Sequence, residues 1–290
     1  MVKTKSFADY KTDAPNQITM ANGAFYPDIL VQACELYKPV LVYFGQLLKT
    51  SASSEILLKE ITKLTQTWMR IQLLRVFRKY VSPDTSVEML KTKNKIPLIC
   101  ATFGKNFRPI HVVQKLFYQR PMPDEALCAI LWEYKDRGQK GYSLTENFFE
   151  MFQSKFPDFT IEGPKRAGAD VQLKNVFEDY PNASRPVDFV IRNSQKQVLA
   201  IGLARYDSDR GGSQEDDRTG GYFNCAKEIL SYTMSKGLNT KVIFLNDGPG
   251  LLLGSMWDDY SKLENINPSK IMVLTLRMLN DRLTKEWLIS

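Results

Sequence analysis

Between residues 26 and 81, apolar residues recur at three- and four-residue steps. That is the period of a helix burying one face. It predicts two long helices, "YPDILVQACELYKPVLVYFGQLLK" and "SEILLKEITKLTQTWMRIQLLRVFRKYV". Ser53 or Ser54, with the glutamates that follow, supplies a cap for the second. A Pro/Asp turn at "VSPDTS" leads to a lysine cluster, "KTKNK", and the apolar segment "IPLICATFG". Helical patterns return at "RPIHVVQKLFYQ" and at "PDEALCAILWEYK", which opens with proline and acids as helix starts do. No internal period suggests a repeat.

Beyond residue 140 the pattern changes. "SLTENFFEMFQSKF" predicts a helix opened by Ser143 as capping residue with Glu146 three positions on. Short apolar or alternating runs follow: "FTIEG", "ADVQL", "VDFVIRN" and "QVLAIGLARY" are strands by length and β-branched content. "VDFVIRNSQKQVLAIGLA" predicts a hairpin turning at "NSQK". Then come a helix ending at Gly237, the strand "KVIFLN", the helix "GLLLGSMWDDYSKLE", the strand "IMVLTL" and a final helix "RMLNDRLTKEWLI". The expected fold class is α/β, a mixed central sheet flanked by helices, in residues 138–290, with a helical region in residues 1–137.

Composition narrows the chemistry. No stretch approaches the roughly 18 unbroken apolar residues of a membrane span, so no membrane partner is expected. The start, "MVKTKSFADYKTDAPNQ", lacks the apolar core of a secretory signal, and the expected compartment is the cytoplasm. Cys34, Cys100, Cys128 and Cys225 are far apart, and His111 is the one histidine, which leaves no zinc constellation and little room for Ser/His or Cys/His catalysis. Any catalysis is expected to run on carboxylates and a metal.

Charge is unevenly spread. Residues 1–140 hold 21 Lys and Arg against 12 Asp and Glu, net +9, while residues 141–290 hold 18 against 20, net −2. A basic half favours a polyanion such as nucleic acid, with Arg78, Lys79, Lys91 and Lys93 as candidate phosphate contacts. The same cations also suit a helix C-terminus or a solvated surface. The acidic half is where cations would bind.

In the second half, "RPVDFVI" places Pro186 and Asp188 on one strand of the hairpin, and "VLAIGLARY" forms the next. This order of elements, with these residues, resembles the PD-(D/E)xK nuclease core of type II restriction endonucleases over roughly residues 138–276. There, an aspartate on one strand is followed on the next by an acid, any residue and a lysine. Here Gly202, Leu203 and Ala204 stand at the second site. "RYDSDRGGSQEDDRTGGY" is similar to the variant in which an aromatic, a GGS-like loop and a helix follow that strand, here Tyr206, then Gly211, Gly212 and Ser213, then the helix at Tyr222.

The resemblance implies a Mg2+-dependent, site-specific endonuclease acting on double-stranded DNA, a homodimer in a prokaryotic cell. It implies metal ligands at the Asp188 carboxylate and the Leu203 main-chain carbonyl. The absent acid would be replaced by Glu146 or Glu150 from the preceding helix, or by Asp207, Asp209 or Glu215 from the loop, with Glu146 and Asp207 favoured. Arg205 or Arg210 would take over the lysine's stabilisation of charge, without its capacity to carry a proton. Arg210, Ser213, Gln214 and Arg218 are the expected DNA contacts of the loop. Asp170 in "RAGADVQL" is a second candidate for the motif aspartate. Two other readings stand beside this one: a DNA-binding protein on the same fold without catalysis, because of Gly202, and a protein-interaction role for the basic half.

Overall fold

The structure, a computed structural model, describes residues 5–165, 170–182, 184–208 and 214–290, with the main chain alone at 136–138 and 214–218. Its helices before the sheet are α1 (Ala14–Gln17), α2 (Ile29–Thr50), α3 (Ser54–Lys63), α4 (Thr67–Tyr80), α5 (Val87–Leu90), α6 (Ile96–Phe103), α7 (Ile110–Tyr118) and α8 (Glu125–Lys155). Strands β1 (Thr160–Glu162), β2 (Val171–Gln172), β3 (Pro186–Val187), β4 (Phe189–Arg192) and β5 (Val198–Tyr206) come next. Then follow α9 (Gln214–Ser235), β6 (Lys241–Asp247), α10 (Met256–Asn265), β7 (Ile271–Leu274), α11 (Leu279–Arg282) and α12 (Lys285–Ile289). Among the described residues, no helix is long and apolar enough to cross a membrane.

The chain forms two compact units, residues 23–137 and residues 1–22 with 138–290. The first 22 residues therefore fold with the sheet, a correction to their expected place in the helical region. The reason lies in their side chains. Phe7 stacks on Trp257 with ring centroids 4.4 Å apart, and Lys11 pairs with Asp258 at 2.6 Å.

In the helical unit, Tyr37, Phe44, Leu57, Leu74 and Phe77 are fully or almost fully buried in a common core with Val113 and Leu131. The predicted second long helix is broken into α3 and α4. Ser53 does cap α3, its Oγ accepting the Ile56 N–H at 3.2 Å. At the break, Leu64 turns extended, and its carbonyl accepts from Arg70 Nη1 at 2.7 Å and Lys93 Nζ at 3.3 Å. Two cations from outside the helix ladder thus satisfy the carbonyl that the break frees.

The two helices expected around "PDEALCAILWEYK" and "SLTENFFEMFQSKF" are one, α8. Its first part, to residue 137, belongs to the helical unit and its remainder to the sheet unit. Ser143 does not cap; its hydroxyl donates to the Gln139 carbonyl one turn back, at 3.0 Å, as a serine inside a helix does.

The five-stranded sheet has the order β1-β4-β5-β6-β7. β1, β4 and β5 are antiparallel neighbours, whereas β5, β6 and β7 run parallel. β6 and β7 are buried at every position, as expected for strands covered on both faces. One face receives α8, with Phe148 and Phe149 at 5.0 and 6.0 Å from the Phe189 ring. The opposite face receives α9 and α10, where Tyr222 lies 4.9 Å from Phe244 and 6.1 Å from Tyr260. The predicted hairpin turns at Asn193–Gln197, where Lys196 takes the left-handed conformation and the Gln197 N–H reaches Asn193 Oδ1 at 2.9 Å.

The N-terminal segment is fastened by buried charge. Glu264 accepts from the Phe7 N–H at 2.8 Å, the Val273 N–H at 2.9 Å and Arg282 Nη2 at 2.7 Å, with both ionic side chains almost fully buried. Removing one partner of such a pair strands the other. Glu264→Ala is expected to cost about 3–5 kcal/mol of stability in urea unfolding, far more than loss of the exposed Lys11–Asp258 pair by Lys11→Ala, about 0–1 kcal/mol.

Candidate active site

Asp188 lies at the bend between β3 and β4, and three neighbours fix its backbone and carboxylate. Its N–H donates to the Gly202 carbonyl at 3.0 Å, and its Oδ2 accepts the Ala204 N–H at 2.7 Å. On the β1 side, Gly163 packs so closely that an added Cβ would lie 2.3 Å from the Asp188 carbonyl oxygen. Asp188 is half-buried, and burial first of all pushes its pKa up to about 6, against the Ala204 hydrogen bond, which lowers it.

The other contribution raising it is the charge of Asp170. Strands β2 and β3 pair antiparallel with Val171 opposite Val187, and Asp170 and Asp188 each adjoin that pair. The sequence offered Asp170 as a rival to Asp188 for a single place. The structure brings the two near enough for the charge of one to act on the other, a result of the small β2–β3 ladder that two-residue strands leave almost invisible in a hydrophobic pattern.

Gly202 has a packing role. It stands opposite Phe189 in the β4–β5 ladder, and the Phe189 ring lies across it, so that an added Cβ would be 1.9 Å from Cζ. The position is on the α8 face, filled by aromatic core. Residues 203 and 205 point the other way, toward α9: the strand alternates sides, and Arg205 interacts with Tyr222 and Tyr260. The positions of β5 that accompany the Asp188 carboxylate on that side are Leu203 and Arg205.

Arg205 donates from Nε to Asp207 Oδ1 at 2.7 Å, and its side chain is about a third exposed. Burial alone would lower its pKa, but Asp207 holds it above its ordinary value. Asp207 is almost fully buried, with its N–H on the Asp247 carbonyl and its own carbonyl on the Gly250 N–H, both at 2.8 Å. It is the partner of Arg205. Tyr222, on α9, has its pKa raised by burial against the lowering effect of Arg205, with Asp188 and Asp207 raising it further.

Glu146 is on α8, the helix that covers the Phe189 face, and Glu150 is exposed on the same helix. Among the described residues, no three His, Cys, Asp or Glu side chains gather as a metal ion would need, so Asp188, Glu146 and Asp207 do not form one cluster. Asp209, Arg210 and Ser213 lie outside the described residues, as do the side chains of Gln214, Glu215 and Arg218.

The expected phosphate contacts of the first half are largely engaged at home. Arg78 Nη2 donates to the Pro83 carbonyl at 2.8 Å, Lys93 to Leu64, and Lys91 pairs with Glu88. Lys79 is exposed. The helical unit still holds 17 Lys and Arg against 10 Asp and Glu, net +7, while the other unit balances at 22 against 22.

No family model, no curated protein and no solved structure matches the chain.

Two measurements check this geometry. Gly202→Ala is expected to lower stability by about 1–3 kcal/mol or more through overpacking, and Phe189→Leu in the same chain to recover part of that loss in urea unfolding. The raised Asp188 pKa means that the native state holds the proton more tightly than the unfolded chain. Its stabilising effect is complete below about pH 4 and lost as pH rises through about 6. Asp188→Asn keeps an acceptor for the Ala204 N–H and is expected to stabilise the protein at pH 8 by about 1–3 kcal/mol, with no gain at pH 4.

Proposed function

We propose that the chain is a Mg2+-dependent endonuclease of the restriction type, acting on double-stranded DNA. The observation that carries the reading is a carboxylate pair, Asp170 and Asp188, at the bend into a hairpin whose next strand carries Arg205 toward the same side. The order of elements supports it. Helix α8, the antiparallel β1–β4–β5 set, helix α9 and the parallel β6 follow one another as the resemblance to the PD-(D/E)xK core implies.

Mg2+ fits the donors available. It takes hard oxygen ligands and is held through one or two carboxylates together with substrate phosphates, keeping several waters. Asp170 and Asp188 would supply those carboxylates, and a divalent cation between them would relieve the burial and like-charge repulsion that raise the Asp188 pKa. The bound ion supplies Lewis acidity and a water activated near neutral pH. The chain's own residues bind and orient. The Ala204 N–H aims the Asp188 carboxylate, and Asp207 holds the Arg205 guanidinium, which stays charged and stabilises negative charge on the scissile phosphate. The net +7 of the helical unit favours a polyanionic partner. A two-fold homodimer would present two such sites to the two strands of a palindrome.

One observation favours the second reading, a DNA-binding protein without catalysis. The apolar Leu203 and the core-packed Gly202 leave β5 without a carboxylate beside Asp188.

Purified protein incubated with mixed-sequence plasmid and Mg2+ is expected to give discrete fragments that Asp188→Ala and Asp170→Ala abolish. A second readout does not depend on cutting: Mg2+ raises the unfolding temperature of the wild type and leaves that of Asp188→Asn unchanged. Absence of both effects, with DNA binding that weakens steeply as salt rises, establishes the binding protein. Absence of salt-dependent DNA binding as well sinks both readings.

A further inference from the structure

The lysine cluster of the helical unit borders an apolar groove. Met89 of α5 and Leu98, Ile99 and Phe103 of α6 line it together with Glu88 and Lys95, around a cavity of about 510 Å³. Helix α6 is apolar on both sides yet lies at the surface. Ile96 and Ile99 face the core, whereas Leu98 is 68% exposed and Phe103 and Met89 are each 37% exposed. An apolar surface shared by neighbouring elements marks an interaction site more often than a scatter of single exposed residues does.

The charge around it is mostly basic, with Glu88 as the acid that lines the groove. Lys91 is neutralised by Glu88 and Lys93 is bound to the Leu64 carbonyl, but Lys95, in the groove wall, and Lys105, just past the end of α6, are exposed. Neither has an ion-pair partner among the described residues. The unit as a whole carries net +7.

These facts discriminate among occupants. A duplex DNA backbone needs donors all along its phosphates, and the floor of the groove offers methyl, thioether and aromatic groups instead. A second copy seated groove to groove about a two-fold axis would bring the exposed Lys95 and Lys105 of each copy against the same cations of the other. A helical segment with apolar anchors at three- and four-residue spacing, flanked by Asp and Glu, satisfies both the floor and the rim.

We infer that the α5–α6 groove is a docking site for an acidic amphipathic segment of a partner protein. Its apolar anchors lie on Leu98, Phe103 and Met89, and its carboxylates on Lys95 and Lys105. This surface is independent of the nuclease reading and stands whether or not the chain cuts DNA.

The test uses the full chain and a phage-displayed library of random 12-residue peptides. Selected peptides are expected to combine spaced apolar residues with Asp or Glu. In fluorescence anisotropy they should lose about tenfold or more in affinity to Leu98→Asp, and again to Lys95→Glu with Lys105→Glu. The same variants should keep the wild-type circular dichroism spectrum and melting temperature, since the altered side chains are exposed. Peptides with no acidic preference, or binding indifferent to Leu98→Asp, overturn the proposal. So does a concentration-dependent dimer in sedimentation that Leu98→Asp dissolves, which makes the occupant a second copy. Displacement of the peptides by duplex DNA with equal sensitivity to Leu98→Asp overturns it in favour of nucleic acid.

Discussion

The ring of Phe189 laid across the main chain of Gly202 is the contact on which the site depends. It sets the register of β4 against β5, and the side-chain period of two means that a slip of one residue would exchange the faces of the hairpin. With the register held, the Gly202 carbonyl and the Ala204 N–H fall where they grip Asp188, and Arg205 comes out on the α9 side. The same contact explains why the position is glycine: a backbone approach this close leaves no room for a Cβ. A carboxylate written into position 202 would displace core aromatics before reaching any ligand.

The polar groups around this frame show a division of labour. Asp247 and Glu264 are buried carboxylates that accept backbone N–H groups from distant segments. Asp247 takes those of Thr19 and Leu276, together with that of its chain neighbour Gly248, and Glu264 those of Phe7 and Val273. Both satisfy main-chain donors that would otherwise be lost inside the protein. Asp188 differs. It has one backbone donor in its grip where Asp247, whose pKa burial also raises, has three, and it has a neighbouring carboxylate, so less in its surroundings compensates its charge.

Much of the sheet was legible in the sequence because burial leaves a plain mark. "KVIFLN" and "IMVLTL" are unbroken apolar runs, and they became strands buried on both faces; the hairpin turn at "NSQK" carried its own asparagine chemistry. Legibility failed where two physical signals look alike. A Ser–x–x–Glu pattern inside a helix matches a cap, and nothing around Ser143 stops the helix, so α8 ran through it. Clustered lysines read as a phosphate grip, yet Lys91 and Lys93 are consumed by a neighbouring acid and a freed carbonyl. The pairing of Asp170 with Asp188 depends on a ladder of two residues per strand, too short for any periodicity to register.

The partition of the chain bears on the order in which its parts can form. Residues 23–137 are flanked on both sides by segments of the other unit. During synthesis the helical unit has all its own residues long before Trp257, Glu264 and Arg282 are made, and these are the partners that hold Phe7. The opening residues therefore wait, with Phe7 and Tyr10 unburied, while more than two hundred residues are added. The link from the Tyr206 hydroxyl to Ala21 and Thr19 is likewise a late event. The site is thus edged by a stretch of chain that is made before the sheet and docks after it, so a polypeptide cut short before residue 257 would carry a finished helical unit and an unclosed sheet.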